Sequence, residues 1–486
     1  MKALVIGLSG ADPDVLFEDE RLTHLRRLME GGCYGRLESV MPPTAVPAWL
    51  CMASSMDPGS LGVYGSRGRR DRSYDESMPA DTPQVPPHTI WDEFGRHGKC
   101  TTLVGVPPAL PVSSPNGVRV GCQTDAGKMN ILSTHPPELQ AELAALVGDC
   151  PFDVPGFRTT DKDRLKDAVY AMTSKHFTVV RHLLQHTAWD YFQFVEIGLD
   201  RLQHGLWRFH DPQHPRHEPR SPYAEVIRDY YVYLDTEIGG MLELLDAETA
   251  IAVLSDHGAQ PLLGGFCVNQ WLVEQGLLVL NEYPATVTPF NHLDVNWQKT
   301  TAWSDGGHCA HVFLNVKGRE PTGLVEPADF EVVRQEIKSR LAGIVDDSGR
   351  SQEARAFIPT EIYRAARDIA PDLIVTFANL GRRATTSVGH PTLSVQQDDA
   401  GPDDCGHTIE GTFILAAGNN PLRGEVRGAH ILDVAPTLLE ICQREIPTSM
   451  QGRSLVAGKS ADPAATSLVS DEDLIRQRLR GLGYIE

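Results

Sequence analysis

The chain has 486 residues, 41% of them hydrophobic, and a formal net charge of −20 at pH 7. This length admits two or three domains, or one large domain with insertions, and the apolar fraction is sufficient for a sizeable core. The acidic balance excludes a general binder of nucleic-acid polymers, which needs a basic stripe, and no stretch reaches the length of a membrane span.

Met1-Lys2 leads directly into the apolar run 3–8, which is too short for a signal peptide and reads as a first buried strand. Pro13 suits the first turn of a helix, and 23–29 reads as helical, stopped by Gly31-Gly32. Residues 34–40 form a second strand candidate, followed by Pro42-Pro43-Thr44-Ala45-Val46-Pro47 and a helix at 50–55 that ends at Pro58-Gly59. Residues 57–90 read as surface loop, 89–97 as helix and 101–106 as strand. The proline-rich stretch 107–160 reads as an insertion or lid. Long helices are expected at 163–186 and 223–245, with strands at 189–196 and 251–254. Further strands are expected at 310–316, 373–377 and 412–416, and helices at 330–342 and 431–442. The alternation predicts an α/β fold with a mostly parallel central sheet and helices on both faces. The expected organisation is one catalytic domain over 1–460, with loop-rich insertions at about 57–160 and 266–330 forming a cap over the site, and a tail helix within 461–486. Nine cysteines occur without a CxxC pair or framework spacing, so reduced thiols and a cytoplasmic location are expected.

The apolar run 251–254 ends in Ser255-Asp256-His257-Gly258. Ligand crevices of open α/β sheets lie at the carboxyl ends of strands. One oxygen and one nitrogen donor there make either a half-site for Zn²⁺ or a similar ion, or a turn with no metal. Asp200 and His204 are spaced i, i+4, which on a helix brings carboxylate and imidazole within reach of one cation, or leaves a surface pair. His407 lies in Cys405-Gly406-His407-Thr408, a polar loop before a strand. Thr44, between prolines, has a hydroxyl fixed in direction, and either caps the next helix or acts as a nucleophile that needs activation. An acidic chain can still take an anionic substrate, because a bound cation reverses the field locally.

In their order these motifs resemble the alkaline phosphatase superfamily, in its type I phosphodiesterase/nucleotide pyrophosphatase branch and the related phosphohydrolase/phosphomutase group. The matching stretches are Val5-Ile6-Gly7-Leu8-Ser9-Gly10-Ala11, Pro42 to Trp49, Asp200-Arg201-Leu202-Gln203-His204, Ser255-Asp256-His257-Gly258 and Gly406-His407-Thr408. The resemblance implies two adjacent divalent ions, Zn²⁺ foremost with Mn²⁺ or Mg²⁺ as alternatives. It implies Asp200, His204 and His407 as ligands of one ion, and Asp256 and His257 as ligands of the other. Thr44 is implied as the nucleophile coordinating that second ion and forming a covalent phospho-intermediate that water hydrolyses. Two ions can stabilise the attacking and leaving oxygens of an in-line displacement. The implied substrate is a phosphodiester, nucleotide or phosphomonoester, and a homo-oligomer is compatible with the resemblance.

The chain departs from the family at Ser9, where the family has an aspartate that ligates the second ion. A hydroxyl is a poorer ligand and removes one negative charge, and Asp12, three residues on, is expected to point elsewhere. The departure leaves three outcomes open: a weaker or altered second site, one-metal catalysis, or loss of hydrolysis. The alternatives to a hydrolase are therefore a phosphoryl or sulfuryl transferase or mutase, and a ligand-binding pseudoenzyme. His308 and His311 fall where the family has a loop near the active site, and are either substrate contacts or ordinary loop histidines. Arg319 can hold an anion bidentately or form a solvated pair with Lys317. His210, His214 and His217 read as surface loop without a metal role.

Overall fold

The computed structural model describes residues 1–75, 78–79, 88–107, 116–125, 128–345 and 349–456. The expected tail helix lies outside them. A ten-stranded sheet forms the centre. Its spatial order is Gly424–Glu425, Cys33–Glu38, Glu410–Ala416, Ala250–Leu254, Ala3–Leu8, Tyr191–Glu196, Thr101–Val104, Gly117–Asp125 and Lys128–His135, with Ala429–His430 also pairing with Cys33–Glu38. Ala3–Leu8 runs parallel to both Tyr191–Glu196 and Ala250–Leu254, with Leu4 opposite Phe192 and Ile251. Glu410–Ala416 is antiparallel to its neighbours on both sides.

Alternation along Ala3–Leu8 explains the layering. Leu4, Ile6 and Leu8 face a core shared with helices Thr23–Gly31, Lys162–His186, Gly198–His210 and Val226–Leu242. Ala3 and Val5 face a second core with helices Ala45–Ser54, Ile90–Arg96 and Val434–Ile441. A strand buried on both faces reads as a continuous apolar run, which is why it was legible. Gly7 is where helix Ala45–Ser54 approaches closest, since a Cβ there would meet the Trp49 ring at 2.5 Å.

A third core belongs to the four-stranded sheet Ala302–Asp305, Ala310–Leu314, Leu373–Thr376 and Arg355–Phe357, with helices Val268–Glu274 and Phe330–Ala342 against it.

The sequence reading is corrected in five places. The helix expected at 50–55 starts at Ala45, because Pro47 sits in its first turn, where an amide hydrogen has no partner to lose. Pro58-Gly59 does not end that helix but opens the short helix Pro58–Leu61, capped by Asp57, which accepts from the Ser60 amide at 2.7 Å. Leu61, Val63 and Tyr64 are buried, so this part of 57–90 is not surface loop. Residues 107–160 include two strands that extend the central sheet and helix Leu139–Val147. His407 lies on strand Cys405–Thr408, paired antiparallel with Gly258–Pro261, so Ala259 is opposite His407. Among the described residues no helix is long and apolar enough to cross a membrane.

Candidate metal centre and nucleophile

Three parallel strands deliver the chemistry at their carboxyl ends. Ala3–Leu8 ends in Ser9-Gly10, and Gly10 has φ +73°, a conformation open to glycine. Its amide donates to Asp256 Oδ1 at 3.1 Å, and the Ser9 hydroxyl lies 3.0 Å from both Asp256 oxygens. Ala250–Leu254 leads to Asp256 and His257, with the Ser39 hydroxyl donating to the Asp256 carbonyl. Tyr191–Glu196 turns into helix Gly198–His210, whose i, i+4 geometry stacks Asp200 and His204 on one buried face.

Three imidazoles are anchored in the same way. His204 Nδ1 is 2.8 Å from Asp403 Oδ1, His407 Nδ1 is 2.7 Å from the Pro43 carbonyl, and His257 Nδ1 is 3.0 Å from the Gly258 carbonyl. Each partner only accepts, so each Nδ1 carries the hydrogen and each Nε2 presents a lone pair in the neutral ring. Those lone pairs converge. Asp200 Oδ1 lies 3.3 Å from His204 Nε2, 3.6 Å from His407 Nε2 and 4.0 Å from His257 Nε2. His204 Nε2 and His407 Nε2 are 3.4 Å apart. Two buried acceptors facing each other beside a carboxylate repel unless a cation lies among them. Bonds of about 2.0–2.1 Å to a tetrahedral ion set donors roughly 3.3–3.4 Å apart. Asp200, His204 and His407 fit that spacing.

The second set does not fit as well. Among the described residues, two groups of three donors lie within 4.8 Å of one another, His204–His308–His407 and Asp200–His257–His407. Asp256 belongs to neither. Its oxygens receive Ser9 and Gly10, and only its 3.6 Å approach to His257 Nε2 links it to the imidazoles. His257 Nε2 thus lies between the two carboxylates, 3.6 Å from Asp256 Oδ2 and 4.0 Å from Asp200 Oδ1, with its ring stacked on that of His407.

The electrostatics follow from burial and pairing. Burial would raise the Asp200 carboxyl, but His204 and Arg201 hold it well below the usual range, and Arg201 also binds its other oxygen. Burial likewise opposes ionisation of Asp403, yet His204, Arg383 and Arg158 keep it well below. Burial would lower His204, while Asp403 and Asp200 raise it. His407 and His308 are held well below the ordinary histidine value, first by burial. Burial, with Asp200 adding to it, raises Asp256.

Thr44 occupies the N-cap position of helix Ala45–Ser54 without making a side-chain cap bond. It is buried, and among the described residues its Oγ1 has no hydrogen-bond partner. Its neighbour Pro43 holds His407, so backbone and imidazole tie the hydroxyl's loop to the candidate metal cluster.

The remaining candidates are distributed differently. His308 stacks on His407, with centroids 3.7 Å apart, and so joins the cluster. His311 is pushed down to about 4 by burial and lies against Gly65 instead. Arg319 is held by Asp372 at 2.7 and 2.8 Å and by Glu320 at 2.9 Å, which saturates the fork expected for an anion. Asp12 points away as expected and caps helix Pro13–Glu18. His214 is buried, not on the surface, and accepts from the Arg216 amide at 3.0 Å. Sequence reasoning missed Asp403, Arg158, Arg383 and Ser39. The one available signal was the Asp403-Asp404 pair just ahead of Cys405-Gly406-His407.

Comparison with known proteins agrees with this fold. Human ectonucleotide pyrophosphatase/phosphodiesterase 5 has a similar fold, with a TM-score of 0.53 at 12% identity, covering 93% of this chain and 97% of that one. Phosphonoacetate hydrolase from Sinorhizobium meliloti 1021, solved with phosphonoformate, gives 0.54 at 16% identity, covering 90% and 94%. The murine phosphodiesterase 5, an inactive variant in complex with AMP, gives 0.50 at 13% identity, covering 92% and 96%. No curated protein sequence matches the chain significantly. A model of the type I phosphodiesterase/nucleotide pyrophosphatase family matches residues 3–403, a span that holds every candidate above except His407. With that match across most of its length, the chain belongs to the type I phosphodiesterase/nucleotide pyrophosphatase family and is a hydrolase of the alkaline phosphatase superfamily.

Proposed function

We propose that this metal-dependent phosphohydrolase acts on a small phosphodiester, nucleotide or phosphomonoester through a covalent phospho-Thr44 intermediate. The observation that carries the reading is the convergence of Asp200 Oδ1, His204 Nε2 and His407 Nε2 at 3.3–3.6 Å, with an unpartnered buried Thr44 hydroxyl tied to the same cluster. Asp200, His204 and His407 would hold Zn²⁺, with Mn²⁺ or Mg²⁺ as alternatives. When bound, the ion supplies Lewis-acid charge against the transferring phosphoryl group.

The chain's own residues do the rest. Thr44 Oγ1 forms a bond to phosphorus as the bond to the leaving alcohol breaks, and the threonine proton is lost to solvent while the alkoxide gains one. Water then attacks the phosphorylated threonine, which restores the hydroxyl and releases phosphate from a monoester substrate or the remaining phosphomonoester from a diester. The N-terminus of helix Ala45–Ser54 presents its dipole to the negative group. Asp403 holds His204 in the tautomer that leaves Nε2 open. Nucleotides are favoured as substrates by the family and by the AMP complex of the murine relative.

Ser9 weakens the site at Asp256 and His257. Its hydroxyl occupies Asp256, and a serine cannot replace the carboxylate that the family places there. This favours a second reading in one respect, transfer to an acceptor other than water. Turnover of bis-p-nitrophenyl phosphate and p-nitrophenyl phosphate with Zn²⁺, Mn²⁺ and Mg²⁺ tests the proposal. Thr44→Ala is expected to abolish turnover while leaving metal content intact. Turnover that needs an added alcohol or amine indicates a transferase, and tight nucleotide binding without turnover a pseudoenzyme.

A further inference from the structure

His308 stands in the turn between strands Ala302–Asp305 and Ala310–Leu314 of the four-stranded sheet. Asp200, His204 and His257 come from the central sheet and its helix. Despite that separate origin, His308 has a ligand atom within 4.8 Å of those of both His204 and His407. Its ring lies 3.7 Å from that of His407 and 6.1 Å from that of His204.

We infer that His308 is a protein ligand of the ion held by Asp200, His204 and His407. The inference rests on the metal-hydrolase reading above and adds a donor that reading does not use. A neutral imidazole is a donor of the required kind, and a catalytic zinc site can expand to five ligands in the transition state. The turn after Ala302–Asp305 brings a further imidazole up to the same cluster. Ligation asks the His308 donor to close from within 4.8 Å to the roughly 3.3–3.4 Å between donors bonded to one ion. The ion then links the third core to the central sheet.

His308 could instead serve as packing alone, stacked on His407, and substitutions separate the two roles. His308→Phe keeps a flat ring and removes the donor; His308→Cys removes the ring and keeps a donor. Zn²⁺ affinity of the full chain is measured by competition with a chromophoric chelator, with His311→Ala as a control. His308→Phe is expected to weaken Zn²⁺ binding by about 10–100-fold or more. His308→Cys is expected to recover most of it, and with Co²⁺ to add a thiolate-to-cobalt charge-transfer band. Wild-type affinity in His308→Phe, or no band in His308→Cys, overturns the inference. These are binding measurements, so they stand apart from turnover. If wild type binds Zn²⁺ but Thr44→Ala retains turnover, the nucleophile reading fails and the His308 result still decides ligation.

Discussion

His204 and Asp403 are 199 positions apart in the chain and 2.8 Å apart in space. Asp403 is itself held by Arg158 Nε at 2.8 Å and Arg383 Nη1 at 2.7 Å, so its carboxylate cannot rotate away from the imidazole. A carboxylate on the far side of a ligating histidine fixes the tautomer and raises the basicity of the ligand nitrogen. Asp403→Asn is therefore expected to weaken Zn²⁺ binding by about 10–100-fold, with little loss of helix content by circular dichroism. Chelator competition measures the first quantity. Unchanged affinity would show that the pair orients nothing.

A second buried pair holds the helix that carries Asp200. Glu196 Oε2 meets His176 Nδ1 at 2.8 Å, while its Oε1 accepts from the Gly198 amide at 2.8 Å and Thr173 at 3.0 Å. Both side chains are at most 1% exposed. Glu196→Ala leaves an imidazole buried beside an empty carboxylate position, and removing one partner of such a pair costs about 3–5 kcal/mol. Urea denaturation of the two proteins checks this. Replacing both partners by leucine should cost less than the sum of the single changes.

Stability should also fall in mild acid through His430. Its Nδ1 accepts from the Leu432 amide at 3.1 Å, which only a neutral ring can do, and burial lowers its pKa from 6.5 to about 4. The folded chain therefore keeps the ring neutral, while the unfolded chain takes up a proton below about 6.5. Between pH 6.5 and about 4 the unfolded state binds more protons, and the stability present above that window is lost as pH falls through it. His430→Gln, which keeps an acceptor without titrating, should flatten the profile of urea midpoints between pH 7 and 5.

How much of this was legible in the sequence depended on whether the cause was local. Asp200 and His204 could be read because helix geometry alone puts i and i+4 on one face. The end of the apolar run 251–254 marks Asp256 and His257 but leaves a metal half-site and a plain turn both open. Asp403 could not be read, since its role exists only once strand Cys405–Thr408 pairs with Gly258–Pro261 and brings it to His204. The strands at 117–135 were hidden by the prolines and loop-like residues around them. Pairing at the sheet edge, a tertiary effect, overrode local composition. Arg319 looked available because Asp372, which takes both of its terminal nitrogens, lies 53 residues away.

Ser9 gives the sharpest test of what distinguishes this chain from its family. In wild type its hydroxyl satisfies Asp256, and one Zn²⁺ per chain is expected by metal analysis. Ser9→Asp puts a second carboxylate within reach of Asp256, with Asp200 already near His257. Without metal, like charges this close in a buried site repel, so apo Ser9→Asp should unfold at lower urea than apo wild type. With metal, the same charges become ligands, so stoichiometry should rise to two. Zinc should then stabilise the variant more than the wild type, since an ion at 100 times its Kd contributes about 2.7 kcal/mol. Two tightly bound ions in the wild type would refute the weakened second site, because Ser9 would then cost the centre nothing.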